Sequence, residues 1–184
     1  MRLVIVSGAT ATGKTTLANI IATKLKYILY SKDAIKEKLY DSPVNEKHGY
    51  FWYEKKAKNI YLDSIRANLL DGKSVIIESN FLKNDKIRLK SLINESVQVT
   101  EIYCKARGFT RLKRFISRGE GETRHKAHND RRWYPTIFIG VLLNCIGIQW
   151  PYGPVGVTDK VLYLDTTDVS EINIKKIIEF IKLA

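Results

Sequence analysis

The chain has 184 residues, enough for one domain with a full hydrophobic core. Its 45% hydrophobic and 27% charged residues exclude a disordered or fibrous chain. Lys and Arg number 31 against 19 Asp and Glu, and the formal net charge of +12 favours polyanionic partners: nucleotides, nucleic acid or anionic membranes.

Taken in chain order, the residues alternate between strand and helix patterns. Residues 2–6 read as a buried strand, with Leu3, Val4, Ile5 and Val6 in one apolar run. Residues 14–26 read as a helix, with Leu17, Ala18, Ile20, Ile21 and Leu25 on its period. A short strand over 27–30 and a helix over 33–40 follow, ended by Asp41-Ser42-Pro43. Residues 49–70 read as one long helix closed by Gly72. The β-branched run Val75-Ile76-Ile77 marks a third strand over 74–77. A helix over 84–94, a strand over 97–104, a basic segment over 107–132, a strand over 160–164 and a closing helix over 170–183 complete the chain.

Strands that are apolar on both faces and separated by helices predict a parallel sheet covered on both sides. The expected fold is therefore α/β, with three layers, five parallel strands and one domain over residues 1–184. The Pro- and Gly-rich stretch 151–156 lies inside this order and reads as a loop. The apolar stretch 136–148 contains Asn144 and is too short to span a bilayer. No separate signal segment is expected ahead of the first strand. Cys104 and Cys145 form no C-x-x-C pair and are too few for a disulfide framework. The expectation is a soluble, cytoplasmic protein.

The most specific motif is Gly8-Ala9-Thr10-Ala11-Thr12-Gly13-Lys14-Thr15-Thr16, a full match to G-x-x-x-x-G-K-[ST]. Its glycines permit backbone angles that turn successive N–H groups toward phosphate oxygens. The helix that follows adds its positive end at the same spot. Lys14 supplies a point charge for the β- and γ-phosphates, and Thr15 a hydroxyl for Mg²⁺. The motif follows a buried strand and opens an amphipathic helix, as this mechanism requires. The implied donor is ATP with Mg²⁺.

Neither the N-K-x-D nor the D-x-x-G motif of GTPases is present, and the third strand ends in Glu78-Ser79-Asn80 rather than in the Asp-Glu pair of oligomeric ATPase motors. A small kinase fits better, because it needs only a phosphate loop, a base for the acceptor hydroxyl and a basic lid. Asp33 follows the second strand at the sheet edge where ligands sit, and is the candidate base. It would also serve as the cap of the helix that starts there. Glu78 would hold Mg²⁺ through water, or is a solvated strand end. Arg111, Arg114 and Arg118 share one helical face, opposite Leu112, Phe115 and Ile116. Guanidinium forks suit a transferring phosphoryl group, and Gly119 and Gly121 would let this segment swing as a lid. His125 and His128 lack further metal ligands in the sequence and read as lid or substrate contacts. Trp52, Tyr53, Trp133, Tyr134 and Trp150 read as core, and Trp133, beside Arg131 and Arg132, is alternatively a candidate for stacking on a base.

This combination resembles the P-loop kinases that include polynucleotide 5′-kinase domains, zeta-type toxins, chloramphenicol phosphotransferase and small kinases of the AAA family. The resemblance spans about residues 1–168. Ser31-Lys32-Asp33 resembles the segment that holds the general-base aspartate of polynucleotide kinases. Lys36 falls where they carry a basic residue for the acceptor's 3′-phosphate. Glu78-Ser79-Asn80 resembles their Asp-Thr-Asn strand end, which implies a substrate contact for Asn80. Arg114 and Arg118-Gly119 resemble their lid arginines. The run Arg124-His125-x-x-His128 is similar to the Arg-His-Pro-Gly-His lids of small kinases, with Lys126-Ala127 in place of Pro-Gly, and adds Arg124 as a nucleotide contact. The resemblance implies transfer of the γ-phosphate to a hydroxyl, with a polynucleotide 5′-hydroxyl slightly favoured. A nucleoside, sugar or antibiotic acceptor, or a regulatory nucleotide-binding role without catalysis, stays open.

Overall fold

A computed structural model describes residues 1–43, 48–82, 84–119, 125–128, 134–145 and 153–183. Five strands, β1 (Arg2–Gly8), β2 (Ile28–Ser31), β3 (Val75–Glu78), β4 (Gln98–Lys105) and β5 (Val161–Asp165), form one parallel sheet in the order β2-β3-β1-β4-β5. The helices are α1 (Lys14–Leu25), α2 (Lys32–Asp41), α3 (Tyr50–Leu70), α4 (Asp85–Lys90), α5 (Gly108–Gly119), α6 (Tyr134–Cys145) and α7 (Ile174–Leu183).

The period of two in a strand splits the apolar runs between two cores. On one face Leu3, Ile5, Val75 and Ile77 pack with Tyr61, Ile65 and Leu69 of α3 and Leu89 of α4. On the other, Val4, Val6, Ile76 and Ile102 pack with Leu17, Ala18 and Ile21 of α1 and Ile177 and Ile181 of α7. A parallel sheet buried on both faces must be apolar on both, so the expected three-layer α/β architecture is the one observed.

Three elements differ from the sequence reading. Helix α4 stops at Lys90, because the amides of Leu92, Ile93 and Val97 bond carbonyls three residues back in successive tight turns. The closing helix begins at Ile174 rather than at 170. Asp168 accepts the Ser170 amide and caps a separate 3-10 turn, Val169–Glu171. The apolar stretch after the basic segment contains a full helix, α6, packed against α5. No helix among the described residues is long and apolar enough to cross a membrane.

Candidate active site

The glycine-rich loop runs from the end of β1 into α1. Gly8 has φ +136°, and a Cβ there would lie 2.3 Å from the Cys104 carbonyl oxygen, so only glycine fits beside β4. Gly13 caps α1 at φ +79°, and Ala11 holds φ +64° despite its Cβ, a left-handed conformation that costs about 1–2 kcal/mol. The loop is tied from several sides. Arg111 Nε donates to the Thr10 carbonyl at 3.0 Å, and Asn80 Nδ2 to the Thr10 hydroxyl at 3.1 Å. The Thr166 hydroxyl sits 2.6 Å from the Thr12 carbonyl and 2.7 Å from that of Lys105. Lys14 is buried, and its Nζ donates to the Ala9 carbonyl at 2.9 Å.

Parallel pairing sets β2, β3 and β1 side by side, with Ser31 opposite Glu78 and Glu78 opposite Val6. The loop, Glu78 and the start of α2 therefore share one sheet edge. Glu78 is buried and accepts the Ser31 hydroxyl at 2.9 Å. Burial raises its pKa, against the Lys14 charge and the Ser31 and Thr15 hydroxyls, which lower it. Thr15 and Glu78 thus meet through oxygen atoms, the donor type that a hard cation such as Mg²⁺ takes.

The cap of α2 is Ser31, not Asp33. Asp33 sits exposed in the first turn, which corrects the capping alternative and leaves its carboxylate facing solvent at the sheet edge. Its charge is felt at Glu78, Tyr50 and Tyr61. Lys36, expected to read an acceptor phosphate, is 2% exposed. Its Nζ lies 3.1 Å from Glu54 Oε2 and 4.9 Å from the centre of the Tyr50 ring. Lys32 pairs with the other Glu54 oxygen. Burial pushes the Glu54 carboxyl up, but the two ammonium groups outweigh it and hold the pKa below the usual value.

On α5 the expected open row of arginines is corrected at Arg111. Arg111 is buried as a strut under the phosphate loop. Arg114 Nη2 donates to the Thr166 and Thr167 carbonyls at 2.8 and 3.2 Å, while its buried Nη1 has no hydrogen-bond partner among the described residues. A cavity of about 270 Å³ opens beside it, lined by Gly13, Thr16, Arg114, Thr166, Ile172 and Ile174 among others. It adjoins the loop Asp165-Thr166-Thr167 after β5.

His125 Nδ1 accepts the Ala127 amide at 3.1 Å, so the ring proton sits on Nε2 and is donated to Asp41 Oδ2 at 2.9 Å. His128 Nε2 bonds Glu37 Oε1 at 2.7 Å. Both rings fasten residues 125–128 to α2, and among the described residues no group of three His, Cys, Asp or Glu could hold a metal. The side chain of Arg118, all of Gly121, Arg124, Arg131, Arg132, Trp133 and Trp150, and part of the loop 151–156 lie outside the described residues. Sequence reasoning missed Glu54 and Tyr61. Neither lies in a motif, and the partners of Glu54, Lys36 and Lys32, are 18 and 22 residues away along the chain.

The chain is similar to several kinases of known structure. A candidate kinase from Chloroflexus aurantiacus is 31% identical, with a TM-score of 0.82 over 99% of this chain and 97% of that one. A gluconokinase from Sinorhizobium meliloti is 12% identical, with a TM-score of 0.51 over 96% of this chain and 87% of that one. A chain of the Pnkp1/Rnl/Hen1 RNA repair complex is 16% identical, with a TM-score of 0.57 over 86% of this chain and 49% of that one. The last two likenesses speak for the fold alone. No curated protein sequence matches the chain. The AAA_33 family of AAA domains matches residues 3–133. With its parallel sheet and phosphate loop, the chain belongs to this family of P-loop kinases.

Proposed function

We propose that the protein is an ATP-dependent kinase that transfers the γ-phosphoryl group to an acceptor hydroxyl. The observation that carries this reading is the shared sheet edge, where Lys14 and Thr15 meet Glu78 and where Asp33 stands exposed one strand away. The loop amides between Gly8 and Thr16 would cradle the phosphates. Lys14 would leave the Ala9 carbonyl for the γ-phosphate. Thr15 and Glu78 would hold Mg²⁺, which neutralises phosphate charge when bound. The buried Nη1 of Arg114 supports a ligand in the adjoining cavity, because an unpaired buried donor is costly until something accepts from it.

In the transfer, the acceptor oxygen forms a bond to the γ-phosphorus and the bond from that phosphorus to the ADP oxygen breaks, with the electron pair leaving on ADP. Asp33 takes the acceptor proton. Arg114, Arg118 and Arg124 would contact the nucleotide from the lid, and Asn80 and Lys36 border the acceptor side.

The test is phosphoryl transfer by wild type and Asp33→Asn over a panel of 5′-hydroxyl RNA and DNA, nucleosides and sugars. Loss of the base should lower kcat by about 100-fold or more while ATP affinity changes little. Full-rate transfer by the variant would remove Asp33 from this role. A wild type that phosphorylates nothing on the panel would overturn the kinase reading.

A further inference from the structure

Between α3, α4 and the end of β3 lies a second cavity, of about 60 Å³. That is room for roughly four water molecules. It is lined by Tyr61, Asn80, Lys32, Lys58, Asp85 and Arg88 among others, on the side of the sheet edge where Asp33 and Glu78 stand. Its size suits the end of a small polar molecule and is too tight for a stacked nucleobase.

Two features of this cavity call for a ligand. Tyr61 is 3% exposed, and its hydroxyl is buried without a hydrogen-bond partner among the described residues. Burial, then the carboxylates of Glu78, Asp85 and Asp33, keeps the phenol protonated and therefore able to donate. The second feature is charge. Lys32 and Lys36 share Glu54, and Lys58 pairs with Asp85 through the oxygen that the Leu82 amide does not use. Arg88 lines the same space and has no ion-pair partner among the described residues. Three lining cations, Lys32, Lys58 and Arg88, against two lining carboxylates, Glu54 and Asp85, leave the wall positive by one charge.

We propose, resting on the kinase reading above, that this cavity receives the acceptor, and that the acceptor is a compact polyhydroxylated molecule bearing an anionic group, a carboxylate or a phosphate. Its reacting hydroxyl points to Asp33, Tyr61 and Asn80 bond its neighbouring hydroxyls, and Lys58 and Arg88 face the anion. Arg88 presents a planar fork that matches either oxyanion.

The experiment compares kcat/KM of the full chain with MgATP for neutral polyols and sugars, for aldonates and sugar monophosphates of the same length, and for 5′-hydroxyl oligonucleotides. The anionic acceptors should exceed their neutral counterparts by about tenfold or more, as expected of a charge-assisted contact. A preference for aldonates identifies the anion as a carboxylate, and a preference for sugar phosphates as a phosphate. Arg88→Gln and Lys58→Gln should raise the acceptor KM by about tenfold and erase the preference, with the KM for ATP unchanged. Arg88 is exposed, so its replacement remains interpretable even where the Lys58 variant folds poorly. Tyr61→Phe should raise the acceptor KM several-fold while leaving the pH profile of kcat in place. Equal use of neutral acceptors, or a preference for oligonucleotides, would overturn the proposal. If no acceptor is phosphorylated the kinase reading fails on its own, and calorimetric titration of aldonates and sugar phosphates then decides the cavity: binding lost in Arg88→Gln supports an anion site, and no binding overturns it.

Discussion

Single residues set the limits of the phosphate loop. Replacing Gly8 with alanine would drive a Cβ into the Cys104 carbonyl at a backbone angle that alanine avoids. Gly8→Ala should therefore lose about 2–4 kcal/mol of stability, read as a fall in the midpoint of chemical denaturation, and bind nucleotide weakly. The neighbouring Cys104 thiol is no candidate nucleophile, since burial pushes its pKa up to about 12. Glu78 makes a prediction about pH. Its folded pKa lies above the ordinary carboxylate value, so its ionised form costs stability as pH rises through that raised value, yet only that form serves a cation. Mg²⁺-dependent nucleotide binding should accordingly weaken on acidification at a pH above the usual carboxylate range. Glu78→Gln should abolish that limb in a pH series of calorimetric titrations.

At the scale of elements, α5 divides its arginines by depth. Arg111 points inward to the Thr10 carbonyl, and Arg114 reaches the loop after β5. Truncating the buried strut leaves the Thr10 carbonyl without that donor. Arg111→Ala should cost about 2–4 kcal/mol in urea denaturation and loosen the loop. Arg114→Ala should instead be felt at the ligand, raising the nucleotide Kd by about tenfold or more because the Nη1 donor is gone. Helix α2 is the other organising element. One of its ends presents Asp33, its middle buries Lys36, and Glu37 and Asp41 hold His128 and His125. The two histidines thus act as fasteners between residues 125–128 and the helix that carries the proposed base.

For the whole molecule, charge and burial oppose each other. The net charge of +12 attracts any polyanion without selecting one. Single-stranded oligonucleotides should bind in a filter assay with an affinity that falls roughly tenfold or more between about 50 and about 200 mM salt, irrespective of a 5′-hydroxyl. Buried inside the sheet, Glu101 accepts the Ser7 hydroxyl and the Val155 amide, the latter at 2.8 Å, and so pins the loop before β5. Burial raises its pKa, only partly offset by these bonds. A raised folded pKa means that the native state holds the proton longer than the unfolded chain. Stability should therefore decline as pH rises from the usual carboxylate range through the raised value. Glu101→Gln should flatten that decline in thermal unfolding measured across pH.

The architecture was legible because it rests on local patterns. Unbroken apolar runs at Leu3–Val6 and Val75–Ile77 can only be strands buried on both faces, and the glycine spacing after β1 admits one loop geometry. Those features alone determined a parallel α/β sheet and a phosphate loop with Lys14 and Thr15 in place. Pairing between distant residues was not legible, since no periodicity encodes it. Only the tertiary structure decided that Ser31 caps α2 and frees Asp33, that Lys36 spends its charge on Glu54, and that Arg111 supports the loop from below. The cavity proposed for the acceptor belongs to the same class. It exists because α3 and α4 meet over the end of β3, and its chemistry is the sum of side chains that are neighbours in space and strangers in sequence.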